Sequence, residues 1–187
     1  MSQTNVLVLV GSLRAASVNR QLAETAVAVA PEGAQVTVFD GLGEVPFYNE
    51  DIDVAGSIPA VEALRDAAGR ADALLLLTPE YNGTIPAVLK NAIDWISRPY
   101  GTGAVKDKPI AVISASPSGN GAQWAHEDTR KAVRIAGGKV LEDVTLAIGG
   151  TIDKFGDRHP RENAEVAQQI AGVVASLVDA TKELVDA

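Results

Sequence analysis

The chain has 187 residues, 47% of them hydrophobic, which is enough for one domain with a packed core and too apolar for a disordered protein. It contains no cysteine, which excludes a disulfide framework, a thiolate nucleophile and a cysteine-based metal site. Its formal net charge of −8 argues against a general nucleic-acid-binding surface, but it is compatible with a basic pocket for one small anion.

Short apolar runs alternate along the chain with longer segments of helical spacing. The runs that predict strands are Val6–Val10, Val36–Phe39, Leu74–Leu77, Ile110–Ile113 and Val140–Leu146. Between and after them, apolar residues recur every three or four positions and predict helices. These helical patterns begin near Arg20, near Pro59, at Ile85, near Ala125 and near Val166. A long irregular connection is expected from Gly41 to Gly56.

This alternation predicts a protein of the α/β class. Strands that are apolar throughout indicate a parallel sheet that is covered by helices on both faces. We therefore expect a single domain over residues 1–187, with a flavodoxin-like three-layer sandwich and five parallel strands in the order 2-1-3-4-5.

The sequence also bears on the compartment of the protein. No apolar run approaches the roughly 20 residues that a membrane-spanning helix requires. The N-terminus lacks the basic flank and the small-residue cleavage site of a signal peptide. We expect a cytoplasmic protein with neither a membrane nor a nucleic acid as partner.

The segment Gly11–Asn19 follows the first strand and leads into the first helix. A helix N-terminus presents unpaired N–H groups and the positive end of its dipole. Ser12, Ser17 and Asn19 can add side-chain donors, and Arg14 can add a fixed positive charge, so that the segment suits a phosphate. An ordinary strand-to-helix connection fits the pattern equally well, because neither the GxxxxGK[ST] nor the GxGxxG motif is present.

Two further loops belong to the carboxyl edge of the sheet, where doubly wound proteins bind ligands. Thr78–Thr84 can offer backbone N–H groups to a planar heterocycle, while Tyr81 covers part of a ring face. Ser114–Gly121 is rich in small residues, which allow a flat ligand to approach the backbone. Taken alone, each loop is explained better by ordinary turn or linker chemistry. Together, the three loops predict one pocket with a phosphate site at one end.

The remaining polar residues give weaker signals. His126 and His159 have no serine or cysteine partner at a recognisable spacing, so we expect them at the surface rather than in catalysis. Asp143 and Asp153 show no metal-ligand spacing, and we expect no metal site. Trp95 continues the apolar side of the third helix and is expected in the core or at a subunit interface.

Three segments resemble the NADPH-dependent FMN reductase family, which includes bacterial quinone and chromate reductases and some azoreductases. They are Gly11-Ser12-Leu13-Arg14-x-x-Ser17-x-Asn19, Pro79-Glu80-Tyr81-Asn82 and Pro86-x-x-Leu89-Lys90-Asn91-Ala92-Ile93-Asp94-Trp95. The similarity extends over almost the whole chain. It implies FMN as cofactor and NAD(P)H as electron donor, without a catalytic side chain, because the flavin carries the chemistry.

The resemblance also implies roles for individual residues. Those that match the family's FMN-phosphate loop are Ser12, Arg14, Ser17 and Asn19. Those that match the segment contacting the isoalloxazine ring, largely through its backbone, are Pro79, Glu80, Tyr81 and Asn82. In the third loop we single out Ser116 as a flavin contact. Family members are usually homodimers or homotetramers in which the helix with Asn91 and Trp95 contributes to the interface, so a neighbouring chain is expected to complete the flavin pocket.

These implications favour an FMN-dependent NAD(P)H oxidoreductase that works in ping-pong order. Hydride passes from NAD(P)H through bound FMN to a quinone-like or other small oxidant. A reductase that supplies free reduced FMN and a flavodoxin-like electron carrier are the alternatives, and the net negative charge fits the carrier. A non-enzymatic domain that binds a phosphorylated ligand is a third possibility. The acceptor and the choice between NADPH and NADH stay open at this point.

Overall fold

The computed structural model describes residues 3–185 and contains a five-stranded parallel sheet with helices on both faces. Its strands are β1 (Thr4–Val10), β2 (Ala34–Val38), β3 (Ala73–Thr78), β4 (Pro109–Ala115) and β5 (Lys139–Ile148). Its helices are α1 (Val18–Ala28), α2 (Pro59–Arg70), α3 (Ala87–Ile96), α4 (Gln123–Ile135), α5 (Thr151–Phe155) and α6 (Ala164–Val185). The strand order is β2-β1-β3-β4-β5, which confirms the predicted flavodoxin-like sheet.

The two faces of the sheet bury separate cores, because successive side chains of a strand point to opposite faces. In β1, the core with α1 and α6 contains Val6, Val8 and Val10, whereas the core with α2 and α3 contains Leu7 and Leu9. Every residue of β3 is buried. A central strand that is buried on both faces is apolar at consecutive positions, which explains the uninterrupted runs in the sequence.

The edge strand β5 differs from the central strands. Most of its residues are at least partly exposed, and its pairing with β4 shifts register before Val112. Arg130 of α4 supports the irregular part: its guanidinium donates to three carbonyl oxygens within residues 141–144 and to the Glu142 carboxylate at 2.7 Å. Hydrogen bonds from the buried Arg130 side chain therefore stabilise the irregular part of this edge strand.

Two helix predictions need correction. The apolar pattern places Ile85 in the third helix, but α3 begins at Ala87, because Pro86 occupies the N-cap position with an extended backbone. The short helix α5 was not predicted, since five residues are too few to give a periodic pattern. The long connection between β2 and α2 is irregular as expected, and it includes two single-turn helices, Leu42–Glu44 and Glu50–Ile52.

The expected surface position of His126 is wrong. The residue is 1% exposed, and its Nε2 lies 3.0 Å from the carbonyl oxygen of Val112 in β4. Burial lowers the pKa of His126, and the positive charge of Arg130 lowers it further, against an opposing contribution from the hydrogen bond to Val112. His159 is only partly buried and lies 3.1 Å from the Glu24 carboxylate.

None of the helices within the described residues is both long and apolar enough to cross a membrane.

Candidate functional site

Three loops meet at the carboxyl edge of the sheet. β1 pairs with β3 and β3 with β4, so the loops that follow these strands are neighbours. The Gly11 N–H donates to the carbonyl oxygen of Leu77 at 2.7 Å. A Cβ at Gly11 would lie 3.2 Å from the Leu89 Cβ and 3.3 Å from the Leu77 oxygen, so the chain passes closely between β3 and α3 here.

The first loop leaves hydrogen-bond donors unused at the N-terminus of α1. Among the described residues, no acceptor meets the N–H groups of residues 18–20. Ser17 is the N-cap residue with an extended backbone, but its hydroxyl makes no capping hydrogen bond, and no acidic side chain lies in the first turn. A helix start with free N–H groups and no carboxylate suits an external anion.

The other predicted residues of this loop lie around the same helix start. Ser12 is partly exposed, and Arg14 is exposed, with its guanidinium donating to the Ala16 carbonyl at 3.2 Å. Arg20 in the first turn forms ion pairs with Asp40 and Glu24, so its charge is already matched within the chain. Arg14 has no ion-pair partner among the described residues, so its charge is available to a ligand.

Asn19 holds an unsatisfied buried atom. The residue is 1% exposed and its Nδ2 donates to the Ala115 carbonyl oxygen at 3.2 Å, which links α1 to the end of β4. Because the amide nitrogen must face that carbonyl, the orientation of the amide is fixed. Its Oδ1 is the buried side-chain atom without a hydrogen-bond partner in the described part of the chain. The sequence suggested a donor here, but the atom that lacks a partner is an acceptor.

The second loop contains a tight two-residue turn. Asn82 and Gly83 have positive φ angles of 53° and 76°, and the backbone groups of Tyr81 and Thr84 exchange two hydrogen bonds of 3.2 Å. This is the geometry for which an Asn-Gly pair is favoured. Tyr81 is exposed and projects from the turn, while Pro79 leads out of β3.

Side chains on both sides of this turn contact α4. The Glu80 carboxylate accepts hydrogen bonds from the N–H groups of Trp124 and Ala125, at 3.1 and 3.2 Å. Thr84 donates to the Asp128 carboxylate at 2.6 Å. The Glu80 side chain is thus turned towards the helix, and its carboxylate is already hydrogen-bonded within the chain. Sequence spacing could not reveal this capping role, because Glu80 and α4 are more than 40 residues apart.

In the third loop, Ser114–Gly121, serine side chains form hydrogen bonds within the loop itself. Ser114 donates to the Gly121 carbonyl at 2.7 Å, and the hydroxyls of Ser116 and Ser118 are 2.6 Å apart. The Ser116 N–H and carbonyl are also bonded within the chain. The buried Ser116 therefore supports the loop. The backbone N–H groups of residues 118–120 have no acceptor among the described residues.

The segment with Asn91 and Trp95 faces inwards. The Trp95 indole N–H and the Asn91 amide both donate to the Pro46 carbonyl oxygen, at 2.7 and 2.9 Å. The Asn91 Oδ1 accepts from the Tyr48 N–H at 2.8 Å. These two residues fasten the irregular β2–α2 connection to α3, and they leave Lys90 and Asp94 on the outer face of the helix.

That outer face lines a groove between α3 and α4, with a volume of about 710 Å³. Apolar and charged side chains share its surface: Ile93, Ile135 and Tyr100 lie beside Lys90 and Asp94. Tyr100 is 88% and Ile135 72% exposed. Thr84 lies at the rim of this groove, so the groove adjoins the second loop.

Comparison with known proteins relates the chain to flavin-dependent reductases. The family model described as NADPH-dependent FMN reductase matches residues 4–153. A quinone reductase of Pseudomonas putida is 39% identical over 158 residues, which cover 84% of each chain. An NAD(P)H-dependent FMN reductase of Pseudomonas aeruginosa is 41% identical over 128 residues, 68% of each chain.

Solved structures agree with this relation. FerB, a flavoenzyme NAD(P)H:(acceptor) oxidoreductase from Paracoccus denitrificans, superposes with a TM-score of 0.84 at 32% identity, over 96% of this chain and 98% of that one. The azoreductase AzrA shares the fold, with a TM-score of 0.63 at 20% identity over 92% of this chain and all of that one. The chain belongs to the NADPH-dependent FMN reductase family.

Proposed function

We propose that this chain is an FMN-dependent NAD(P)H oxidoreductase that reduces a quinone-like or other small, flat oxidant in ping-pong order. The observation that supports it best is the convergence of three loops around a helix N-terminus with unused donors. Relatives described as quinone reductase and as NAD(P)H-dependent FMN reductase support the donor and the class of acceptor.

The donors and acceptors at this edge fit FMN. The free N–H groups of α1, the hydroxyls of Ser12 and Ser17, and the guanidinium of Arg14 suit a 5′-phosphate. The unpartnered Oδ1 of Asn19 requires a donor, which a hydroxyl of the ribityl chain would supply. A phosphate monoester alone would leave that oxygen unsatisfied at neutral pH, so a hydroxylated chain fits the site better than a simple phosphate.

Bound FMN supplies hydride acceptance and electron transfer, which no side chain of the protein offers. The work of the protein is therefore to hold and orient a ring and to tune the charge around it. We assign to backbone N–H groups of the second loop and of residues 118–120 the stabilisation of the negative charge that would develop on reduction; those of residues 118–120 have no acceptor among the described residues. The two-residue turn at Asn82 and Gly83 is closed by the two hydrogen bonds between Tyr81 and Thr84.

We further propose that a second copy of the chain covers the groove between α3 and α4. Lys90 and Asp94 in this groove already pair within the chain at 2.6 Å. Lys131 and Asp128 also line it and form no ion pair among residues 3–185, so a two-fold contact can match Lys131 of each chain with Asp128 of the other. The exposed Ile135 supplies an apolar centre for that contact. Because Thr84 borders the groove, the second chain would lie next to the flavin pocket.

Separate half-reactions test the proposed order of transfer. With oxygen excluded, FMN-loaded protein is mixed with NADPH or NADH without acceptor, the nucleotide is removed, and quinones, azo dyes, chromate and free FMN are then added in turn. We expect bleaching of the flavin absorbance by nucleotide alone and its recovery with quinone. Bleaching that requires the acceptor would exclude the ping-pong order. Loss of reduced FMN into solution would identify a flavin-supplying reductase, and slow reaction with both nucleotides an electron carrier.

A further inference from the structure

The first-turn N–H groups of helix α4 receive no capping hydrogen bond from the N-cap residue. Its N-cap residue, Ala122, has a left-handed backbone with φ 63° and a side chain that cannot accept a hydrogen bond. No acidic residue lies in the first turn. Trp124 and Ala125 therefore carry N–H groups that need an external acceptor.

Glu80 supplies that acceptor from the second loop. One carboxylate oxygen, Oε2, accepts from both N–H groups, at 3.1 Å from the Trp124 nitrogen and 3.2 Å from the Ala125 nitrogen. A carboxylate at this place also faces the positive end of the helix dipole. The capping interaction joins α4 to the segment Pro79–Asn82, whose backbone faces the proposed flavin.

A second contact fastens the other end of the turn. Thr84 donates to Asp128, one turn further along α4, at 2.6 Å. Between the two attachments, Gly83 lies against the Trp124 ring: Cε3 of that ring is 3.6 Å from the place that a Gly83 Cβ would take. The position of the turn is thus set by α4 at both ends.

We propose that Glu80 is a positioning residue for FMN, which acts through α4 and not by contact of its carboxylate with the flavin. The inference rests on the proposed function and deepens it. FMN and α4 would both bind the segment Pro79–Asn82 and would stabilise the same arrangement of it. By linkage, loss of the cap weakens FMN binding, and bound FMN protects the cap.

Three variants test this inference. Glu80→Ala removes the cap, and Glu80→Gln keeps one carbonyl oxygen as acceptor. Glu127→Ala removes an exposed carboxylate on the same helix, whose one hydrogen bond within residues 3–185 is to Gln123. Two measurements are made on each: the FMN dissociation constant by fluorescence quenching, and amide hydrogen exchange at Trp124 and Ala125, with and without FMN.

We expect Glu80→Ala to raise the dissociation constant about fivefold, which corresponds to one lost N-cap of about 1 kcal/mol. Exchange at Trp124 and Ala125 should accelerate in that variant, and FMN should slow it in the wild type. Glu80→Gln should restore most of the affinity, and Glu127→Ala should match the wild type.

Two results would overturn the inference: unchanged affinity in Glu80→Ala, or a Glu80→Gln variant as weak as Glu80→Ala, which would mean that the charge itself meets the ligand. If Glu80→Ala does not fold, Thr84→Val tests the second attachment, and unchanged affinity there overturns the inference as well. A wild-type protein that does not bind FMN would instead remove the proposed function.

Discussion

At the residue scale, Asn19 shows what sequence can and cannot give. Its place at the start of a helix that follows a strand suggested a polar contact with an anion. The partner of its Nδ2, Ala115, is 96 residues away, so the pattern could not show that this donor is already used. What the structure adds is a buried acceptor, Oδ1, that needs a donor from the ligand.

The variant Asn19→Asp should weaken FMN binding. It places a negative charge beside the proposed phosphate and removes the donor to the Ala115 carbonyl, so we expect a loss of about 1–3 kcal/mol in binding free energy. Titration by fluorescence quenching measures it. Asn163→Asp is the matched control, because Asn163 accepts from the Val166 N–H at the start of α6 and aspartate caps equally well. Equal weakening in both variants would show that the effect is not local to the phosphate site.

His126 makes the stability of the fold depend on pH. Burial lowers its pKa in the folded protein below the value of about 6.5 that it has when unfolded. As the pH falls below about 6.5, His126 takes up a proton in the unfolded chain before it does so in the folded chain, and the free energy of unfolding therefore decreases. Above that pH, His126 is neutral in both states and adds no pH dependence.

Urea unfolding at a series of pH values below 6.5 measures this loss, which one proton limits to about 1.4 kcal/mol per pH unit. We expect the slope of unfolding free energy against pH to be smaller in His126→Gln and to be unchanged in His159→Gln, which lacks the other histidine. An unchanged slope in His126→Gln would show that groups other than His126 cause the pH dependence.

At the element scale, strands and helices were predictable where one physical cause dominates. The central strands are buried on both faces, and the apolar runs Val6–Val10 and Leu74–Leu77 indicate this directly. The edge strand β5 mixes exposed and buried positions, and its irregular register depends on Arg130 from α4, which no local pattern encodes. Connections whose structure depends on distant side chains, such as the one held by Asn91, were recognised only as irregular.

The fastening of the β2–α2 connection by α3 can be tested with one pair of variants. Asn91→Ala leaves the Tyr48 N–H without its acceptor and removes donors from the carbonyls of Val45 and Pro46, so we expect a loss of about 1–3 kcal/mol in unfolding free energy. Lys90→Ala, on the outer face of the same helix, should cost less than about 0.5 kcal/mol. Urea unfolding of both variants measures the difference, and equal losses would show that Asn91 does not fasten the connection.

At the scale of the whole molecule, the strand order brings three distant loops to one edge. The sequence predicted the order and the meeting of the loops after β1, β3 and β4, because doubly wound sheets leave few alternatives. It did not predict which atoms of those loops stay free. The resemblance implies flavin contacts for Ser116 and, largely through backbone, for Glu80. The hydrogen bonds that their side chains make within the chain follow from three-dimensional packing, which the sequence pattern does not show.

The proposed contact between two chains is tested by one exposed residue. Ile135 is 72% exposed in the groove, so Ile135→Asp should leave the folded chain intact while it opposes association. Ile152, 68% exposed on α5 and outside the groove, gives the control Ile152→Asp. Light scattering coupled to size-exclusion chromatography should show a dimer or larger assembly for the wild type and the control, and smaller species for Ile135→Asp. A monomeric wild type would contradict the proposal.

The central claim is that the first loop and the start of α1 bind the phosphate of FMN, and parallel titration with FMN and riboflavin tests it most directly. The two ligands differ only in that phosphate. We predict stoichiometric binding of FMN with at least about hundredfold higher affinity than riboflavin, since two charge-assisted hydrogen bonds of about 1.5 kcal/mol each amount to about 3 kcal/mol. Equal affinity for both ligands, or binding of neither, would contradict the account.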